Sequence, residues 1–405
     1  MTIHVVGGVY REYCVHPRWN EVFGSAGRAA LAIATMGSDV SLHSYFSEGT
    51  LELYRQNSIW HQNLTLYPTM VDQDVSFEYL HDMAVPRIIG ADAQHPQLQL
   101  QEDHVVRFGM LEGTAVVHAK WAVYDPQNES VAELFDANGS TAEHLALVLN
   151  AWEASQMAGM EPGTHPTLTA PAIAHKQKAE VVIVKMGPEG AYVWTAQGSE
   201  QVPAYRTRRV WKIGSGDCFV AHFANAWMHD RLPPVEAAHR ASKATAYYCE
   251  TQGFPTTFQL ADWPVQAIQV SDAYKAGKRP QVYLAGPFFD LAQVWMVEQA
   301  YSTLKSFGLK VFSPYHDIGL GSAADVVQKD LEGIHQSDLL FAITDGLDAG
   351  TIYEVGYARA LEKPVVVYSE RHVGENLKMM EGSECTMCIN YTTAVYSVLW
   401  EAVKL

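Results

Sequence analysis

Apolar and polar positions follow two periods along this chain. Apolar runs of four to six residues alternate with longer stretches in which apolar residues return every three or four positions. The first pattern marks buried strands and the second amphipathic helices. Runs at 3–6, 40–45, 114–118 and 181–185 read as strands. The alanine-rich stretch 25–36, closed by Gly37, and the stretches 219–229 and 235–249 read as helices. Residues 190–194 read as the second arm of a hairpin across Pro188-Glu189-Gly190. This alternation predicts an α/β fold, a mainly parallel sheet with helices on both faces.

The stretch 271–280 is polar, with Gly277 and Pro280 near its end, and predicts a linker. Beyond it the alternation restarts. Strands are expected at 281–284, 309–312, 339–343 and 365–368, and helices at 291–307, 323–335, 351–361 and 393–404. The chain therefore divides into a domain at 1–270, a linker at 271–280 and a compact flavodoxin-like α/β domain at 281–405. It shows neither an internal repeat nor a low-complexity tract.

Composition narrows the class. The chain has 405 residues, 48% of them hydrophobic, enough for two cores. Its formal net charge is −17. So acidic a surface repels phosphate backbones and anionic lipid, which argues against nucleic-acid and membrane partners but admits small phosphorylated ligands. No apolar run is long enough to span a bilayer. The first residues enter a strand directly, so no secretory leader is expected. Five scattered cysteines suit a reducing cytoplasm, the expected location. Cys385 and Cys388 form a C-x-x-C without a second pair, so they read as ordinary thiols and no metal site is expected.

Candidate chemistry gathers after the apolar run 339–343. Asp348 and Glu354 fall at the carboxyl end of that strand and in the first turn of the next helix, where α/β sheets bind ligands. Tyr283, in the first strand of the domain, and Asp330, in the helix before the central strand, complete one phenol and three carboxylates. Such a set suits cleavage of a bond to an anomeric carbon, because anions stabilise the sugar cation of the transition state. A carboxylate beneath that carbon can form a covalent glycosyl-enzyme, and a protonated acid can assist departure of the base. Plainer roles fit the same residues. Thr351 and Glu354 have capping-box spacing, and the field of the helix start is expected to keep Glu354 ionised. Asp330 alone reads as a solvated charge beside Lys329 and Glu332, and Tyr283 alone as a core aromatic.

Three motifs occur here in order: Tyr283-Leu284-Ala285-Gly286-Pro287-Phe288, then Asp330-Leu331-Glu332-Gly333-Ile334 with Ser337-Asp338, then Asp348-Ala349-Gly350-Thr351-Ile352-Tyr353-Glu354-Val355-Gly356-Tyr357-Ala358. Residues 281–390 thereby resemble the nucleoside 2-deoxyribosyltransferase family and its nucleotide N-glycosidase relatives. The resemblance implies that Glu354 is the nucleophile, that Asp348 and Asp330 contact the base and assist proton transfer, and that Tyr283 orients Glu354. It places Gly286, Pro287, Phe288, Gly350 and Thr351 around the substrate. Where such domains commonly bring an Asn to the sugar 5′ side, this chain has Cys385-Thr386-Met387-Cys388.

The first domain carries Gly214-Ser215-Gly216-Asp217 before the helix that starts near Cys218. Glycines let amides turn toward an anion, and a helix start adds a favourable field. An Asp there can accept a proton from a substrate hydroxyl while the amides hold a phosphoryl group. The segment also reads as a plain glycine-rich turn. With Phe23-Gly24-Ser25-Ala26-Gly27-Arg28-Ala29-Ala30-Leu31-Ala32, Asn150-Ala151-Trp152-Glu153-Ala154 and Val184-Lys185-Met186-Gly187-Pro188-Glu189-Gly190-Ala191, it resembles the ribokinase-like (PfkB) sugar and nucleoside kinases over most of 1–260.

That resemblance implies an αβα fold. It puts Glu12, Gly24 and Gly27 on the sugar side, Asn150 and Glu153 near magnesium and phosphate, and Gly187 and Gly190 beside the nucleotide. Gly214, Ser215 and Gly216 would form the anion hole and Asp217 the catalytic base. Trp211 and Lys212 stand near the family's Asp-Thr, Glu12 replaces an Asp, and Ala29 falls at the usual Asn. Lys212 is expected to help neutralise phosphate.

The two resemblances together imply cleavage or transfer at the N-glycosidic bond of a nucleoside or nucleotide, fused to a sugar or nucleoside kinase-like domain. A rival reading is a glycosidase or nucleotide-depleting effector whose kinase-like domain is inactive and senses a ligand. A third is a binding protein with both sites silent. ATP and Mg2+ are required only if the first domain transfers phosphate. The glycosidic chemistry needs no cofactor. The expected partners are small-molecule nucleosides, nucleotides or sugars, and a homo-oligomer is expected.

Overall fold

The structure is a computed structural model that describes residues 1–127, 132–319, 321–371 and 374–405. It divides into two units, one of residues 1–207 and 211–267, the other of residues 208–210 and 268–405. The segment 271–280, expected as a linker, packs within the second unit. Ser271 caps the short helix Asp272–Lys275, its amide bonds to Val403, and Tyr274 is buried.

The strands of the first unit, in chain order, are β1 (Thr2–Val6), β2 (Arg11–His16), β3 (Trp19–Val22), β4 (Asp39–Phe46), β5 (Leu64–Met70), β6 (Ser76–His81), β7 (Arg87–Ile89), β8 (Leu98–Phe108), β9 (Ala115–Asp125), β10 (Thr141–Asn150), β11 (Val181–Lys185), β12 (Ala191–Thr195) and β13 (Gly198–Val202). Nine form one sheet in the order β13-β12-β11-β10-β9-β8-β1-β4-β5. Pairing is parallel from β11 to β5 and antiparallel across β11-β12-β13. Alternation along β11 shows why both faces are covered. Val181 and Ile183 join a core with the helices Gly24–Thr35 and Ser215–Ala224, whereas Val182 and Val184 join another with Ala151–Ala158 and Pro166–Gln177. This is the αβα layering of a ribokinase-like fold. A second sheet, β3-β2-β6-β7, carries Glu12 on β2 in register with Phe77 on β6.

The short strands β14 (Tyr205–Arg206) and β15 (Gln266–Ala267) pair with each other. The second unit holds β16 (Gln281–Ala285), β17 (Lys310–Phe312), β18 (Leu339–Ile343), β19 (Val365–Tyr368) and β20 (Thr386–Cys388) in a parallel sheet ordered β17-β16-β18-β19-β20. All five residues of β18 are buried, as a central parallel strand requires. Among the described residues no helix is long and apolar enough to cross a membrane.

Candidate functional site

In the second unit Tyr283 lies on β16 and Glu354 on the helix Ala349–Ala360 that follows β18. The Tyr283 hydroxyl donates to Glu354 Oε1 at 2.6 Å. Tyr283 is fully buried and its ring stacks on Phe312 at 5.5 Å, so the phenol is a fixed donor. The expected capping box is not formed. Asp348 is the N-cap and accepts from the Thr351 amide at 2.8 Å and the Thr351 hydroxyl at 3.0 Å. Thr351 is thus a donor to the cap, and Glu354 turns to Tyr283 instead of its own helix amides.

The expectation that the helix start keeps Glu354 ionised is also corrected. Burial pushes its carboxyl up to about 7; the Tyr283 bond opposes the rise, while Asp330 and Asp348 add to it. Desolvation beside two like charges outweighs the helix field. Asp330 is raised by burial too, and its Oδ1 is buried without a hydrogen-bond partner. Its charge reaches both Glu354 and Tyr283. Glu354, Asp348, Asp330 and Tyr283 therefore share one electrostatic site.

Around it, Pro287 is buried and Phe288 packs on Tyr315 and Phe289, with ring centroids 5.5 Å apart in each pair. A Cβ on Gly286 would meet Ile343 at 3.3 Å, and one on Gly350 would meet Asp348 Oδ2 at 3.1 Å. Cys385 and Cys388 are buried, and their sulfurs lie 3.7 Å from the Ser383 hydroxyl and 3.5 Å from that of Ser397, respectively.

In the first unit the chemistry collects at the carboxyl ends of parallel strands. A cavity of about 210 Å3 is lined by Tyr10, Glu12, Arg28, Phe77, Tyr79 and Asp217, among others. Asp217 lies in the first turn of the helix Ser215–Ala224, whose N-cap Gly214 has φ +77°. Lys212 Nζ donates to the Ser215 hydroxyl at 3.1 Å. Lys185, at the end of β11, bonds to the fully buried Asp125 at 2.7 Å and lies beside Gly216. Asn150 and Glu153 form a reciprocal capping box, with bonds of 2.8 and 2.7 Å. Burial raises Glu153 to about 7; Asp125 adds to the rise, and Lys185 opposes it.

Gly24 lines the cavity and its amide donates to Glu12 Oε1 at 3.2 Å. A Cβ on Gly27 would meet the Tyr54 ring at 2.9 Å. Gly187 and Gly190 build the turn from β11 to β12. The position matched to the family's Asn is corrected as well: Ala29 is in the core, and the neighbour that enters the cavity is Arg28.

Arg28, Gln127, Asp125 and Lys185 were not among the expected site residues. Arg28 had a signal, since it is the one charged residue in the helix Gly24–Thr35. Its guanidinium bonds to Asp217 Oδ2 at 2.7 Å and pairs with Glu12.

Comparison with known proteins agrees with this division. The family model for nucleoside 2-deoxyribosyltransferase matches residues 282–387, and that for the pfkB family of carbohydrate kinases matches residues 123–257. An uncharacterised protein of Ureaplasma parvum serovar 3 is 28% identical over 156 residues, covering 31% of this chain and 99% of that protein. Similar solved structures include Arabidopsis thaliana ribokinase complexed with ribose and ATP, at 16% identity and TM-score 0.49, covering 65% of this chain and 99% of the other. Another is Methanocaldococcus jannaschii nucleoside kinase, at 13% identity and TM-score 0.49, covering 64% and 97%. The chain thus joins a PfkB kinase-like domain to a nucleoside deoxyribosyltransferase-like domain.

Proposed function

We propose that the second unit breaks or exchanges the N-glycosidic bond of a nucleoside or nucleotide, with Glu354 as nucleophile. The observation that carries this reading is the 2.6 Å bond from the buried Tyr283 phenol to Glu354 Oε1. It fixes the carboxylate through Oε1, and Oε2 is the oxygen proposed to attack the sugar. Glu354 attacks C1′, the new C–O bond forms as the C1′–N bond breaks, and the electron pair leaves on the base. Asp330 is proposed to pass the proton to the base, because burial raises its carboxyl and Oδ1 has no partner. Asp348 is occupied as the helix cap and acts through Glu354's charge and position. Asp330 then takes a proton from water or a second base, which attacks C1′ as the ester bond breaks and the Glu354 carboxylate returns. Hydrolysis follows with water, transfer with a base.

The first unit is proposed to bind a sugar or nucleoside, either for phosphorylation or as a sensor. Its phosphate end suits ATP and magnesium. Lys185, Lys212 and the amides after Gly214 would hold phosphate, and the unpaired Oδ1 of Asp125, with Glu153, offers carboxylates to the metal. ATP bound there would supply the phosphoryl group. The hydroxyl end favours the sensor, because Arg28 already holds Asp217.

Incubation of the chain with nucleosides and nucleotides, without ATP, followed by chromatography tests the glycosidic reading. Free base is expected from wild type and not from Glu354→Gln. Equal release from both would remove Glu354 from the reaction.

A further inference from the structure

The cavity of the first unit contains a cation that no step above employs. Arg28 is 1% exposed. Its Nε donates to the Tyr248 hydroxyl at 3.1 Å, and that hydroxyl donates to the Ile213 carbonyl at 2.9 Å. Nη1 bonds to Asp217 Oδ2 at 2.7 Å and Nη2 to Glu12 Oε2. Its Cζ stands 5.0 Å from the centre of the Phe23 ring. On its other side it lies against Gly214, where a Cβ would fall 2.0 Å from Arg28 Nε. Glycine at that helix start is therefore required twice, by its positive φ and by the arginine packed on it.

The other two carboxylate oxygens are also engaged. Asp217 Oδ1 accepts from Gln127 Nε2 at 2.6 Å, and Glu12 Oε1 accepts from the Gly24 amide at 3.2 Å. All four oxygens that would read substrate hydroxyls thus receive donors from the chain itself. A hydroxyl reaching Asp217 meets oxygens already engaged by Gln127 and the guanidinium and shares their remaining lone pairs. A neutral hydroxyl competes poorly with a charge-assisted bond in a dry site. Displacing Arg28 from Asp217 would also cost the buried guanidinium one of its two counter-ions.

We infer that Arg28 is a built-in occupant of the hydroxyl side of this pocket, standing where a neutral sugar or nucleoside hydroxyl would bind and holding the first unit in a non-transferring state. The inference rests on reading the cavity as a sugar or nucleoside site and is independent of Glu354. Arg28 is a positioning residue, acting through Glu12 and Asp217. What remains open beside it is walled by the aromatic rings of Tyr10, Phe77 and Tyr79.

The test is calorimetric titration of the full chain with adenosine and, separately, D-ribose, without ATP or magnesium and in a Glu354→Gln background. Arg28→Asn keeps hydrogen-bond donors and frees both acids. It should bind at least one probe about tenfold or more tightly than the chain with Arg28. In a second arm with ATP-Mg, the chain with Arg28 should form no more phosphorylated product than Asp217→Asn. Arg28→Asn should exceed that background, and the double variant Arg28→Asn/Asp217→Asn should return to it. Arg28→Lys, which cannot span both carboxylates, carries the same expectation at smaller size and decides the matter if the Asn variant does not fold. The inference is overturned if a folded Arg28 variant binds neither probe more tightly, or if the chain with Arg28 transfers phosphate in a manner that Asp217→Asn abolishes. Base release by the Glu354-containing chain is assayed separately, so failure of the glycosidic reading registers on its own.

Discussion

Tyr283 and Glu354 are 71 positions apart and meet at 2.6 Å, phenol to carboxylate, where β16 faces the helix that follows β18. The phenol favours the ionised form of an acid that burial would otherwise keep protonated. Tyr283→Phe removes that donor. A hydrogen bond to a charged group is worth about 1.5–3 kcal/mol, so base release should fall roughly 10- to 100-fold. The acidic limb of the kcat/KM profile should also move to higher pH. Steady-state rates across pH check both effects.

The wild-type profile has a defined sign. Glu354 must be ionised to attack, and burial, reinforced by Asp330 and Asp348, lifts its carboxyl to about 7. Base release should therefore rise with pH through about 7 rather than through the ordinary carboxylate range. In stability the same shift acts oppositely. The folded-state pKa is above the unfolded value, so the proton held by Glu354 contributes fully below 4.5, and that contribution is lost as pH rises through about 7. Denaturant melts at pH 5 and pH 8 would show this loss shrinking in Glu354→Gln.

Asp330→Asn acts on the profile in the other direction. Asp330 raises Glu354 by like charge, so the acidic limb should shift to lower pH. If Asp330 is also the proton donor, the maximal rate should fall by about 10²–10⁴, and substrates with good leaving groups should suffer less. A lower pKa with an unchanged rate would confine Asp330 to electrostatics.

Asp348 separates cap from catalyst. Asn caps as well as Asp does, so Asp348→Asn should leave thermal stability nearly unchanged. Asp348→Ala exposes the Thr351 amide and should cost about 1 kcal/mol. Base release that persists in the Asn variant would support the cap role, and its loss would return Asp348 to proton transfer.

Much of this was legible in the chain because the signals were local. The runs 181–185 and 339–343 are continuously apolar and became the buried strands β11 and β18. Strands β8 and β10 carry no apolar signal continuous over their full length because their leading halves are polar and largely exposed, leaving only their later halves in the core. On β2 only Glu12 and Cys14 are buried, too few to reveal a period. At the helix start two cap patterns overlapped, Asp348 to Thr351 and Thr351 to Glu354. The choice between them is made by Tyr283, which draws Glu354 away. Arg28 could be seen as a lone charge in an alanine-rich helix, but its partners lie 16 and 189 positions away, and spacing carries no trace of them.

The claim on which the account turns is that a glycosyl group passes through a covalent ester on Glu354. Rapid acid quenching of the chain with a nucleoside, followed by proteolysis and mass analysis, measures it directly. The account predicts a peptide containing Glu354 that is heavier by one glycosyl group and absent in Glu354→Gln. Base release at full rate with that peptide unmodified at every quench time would contradict it.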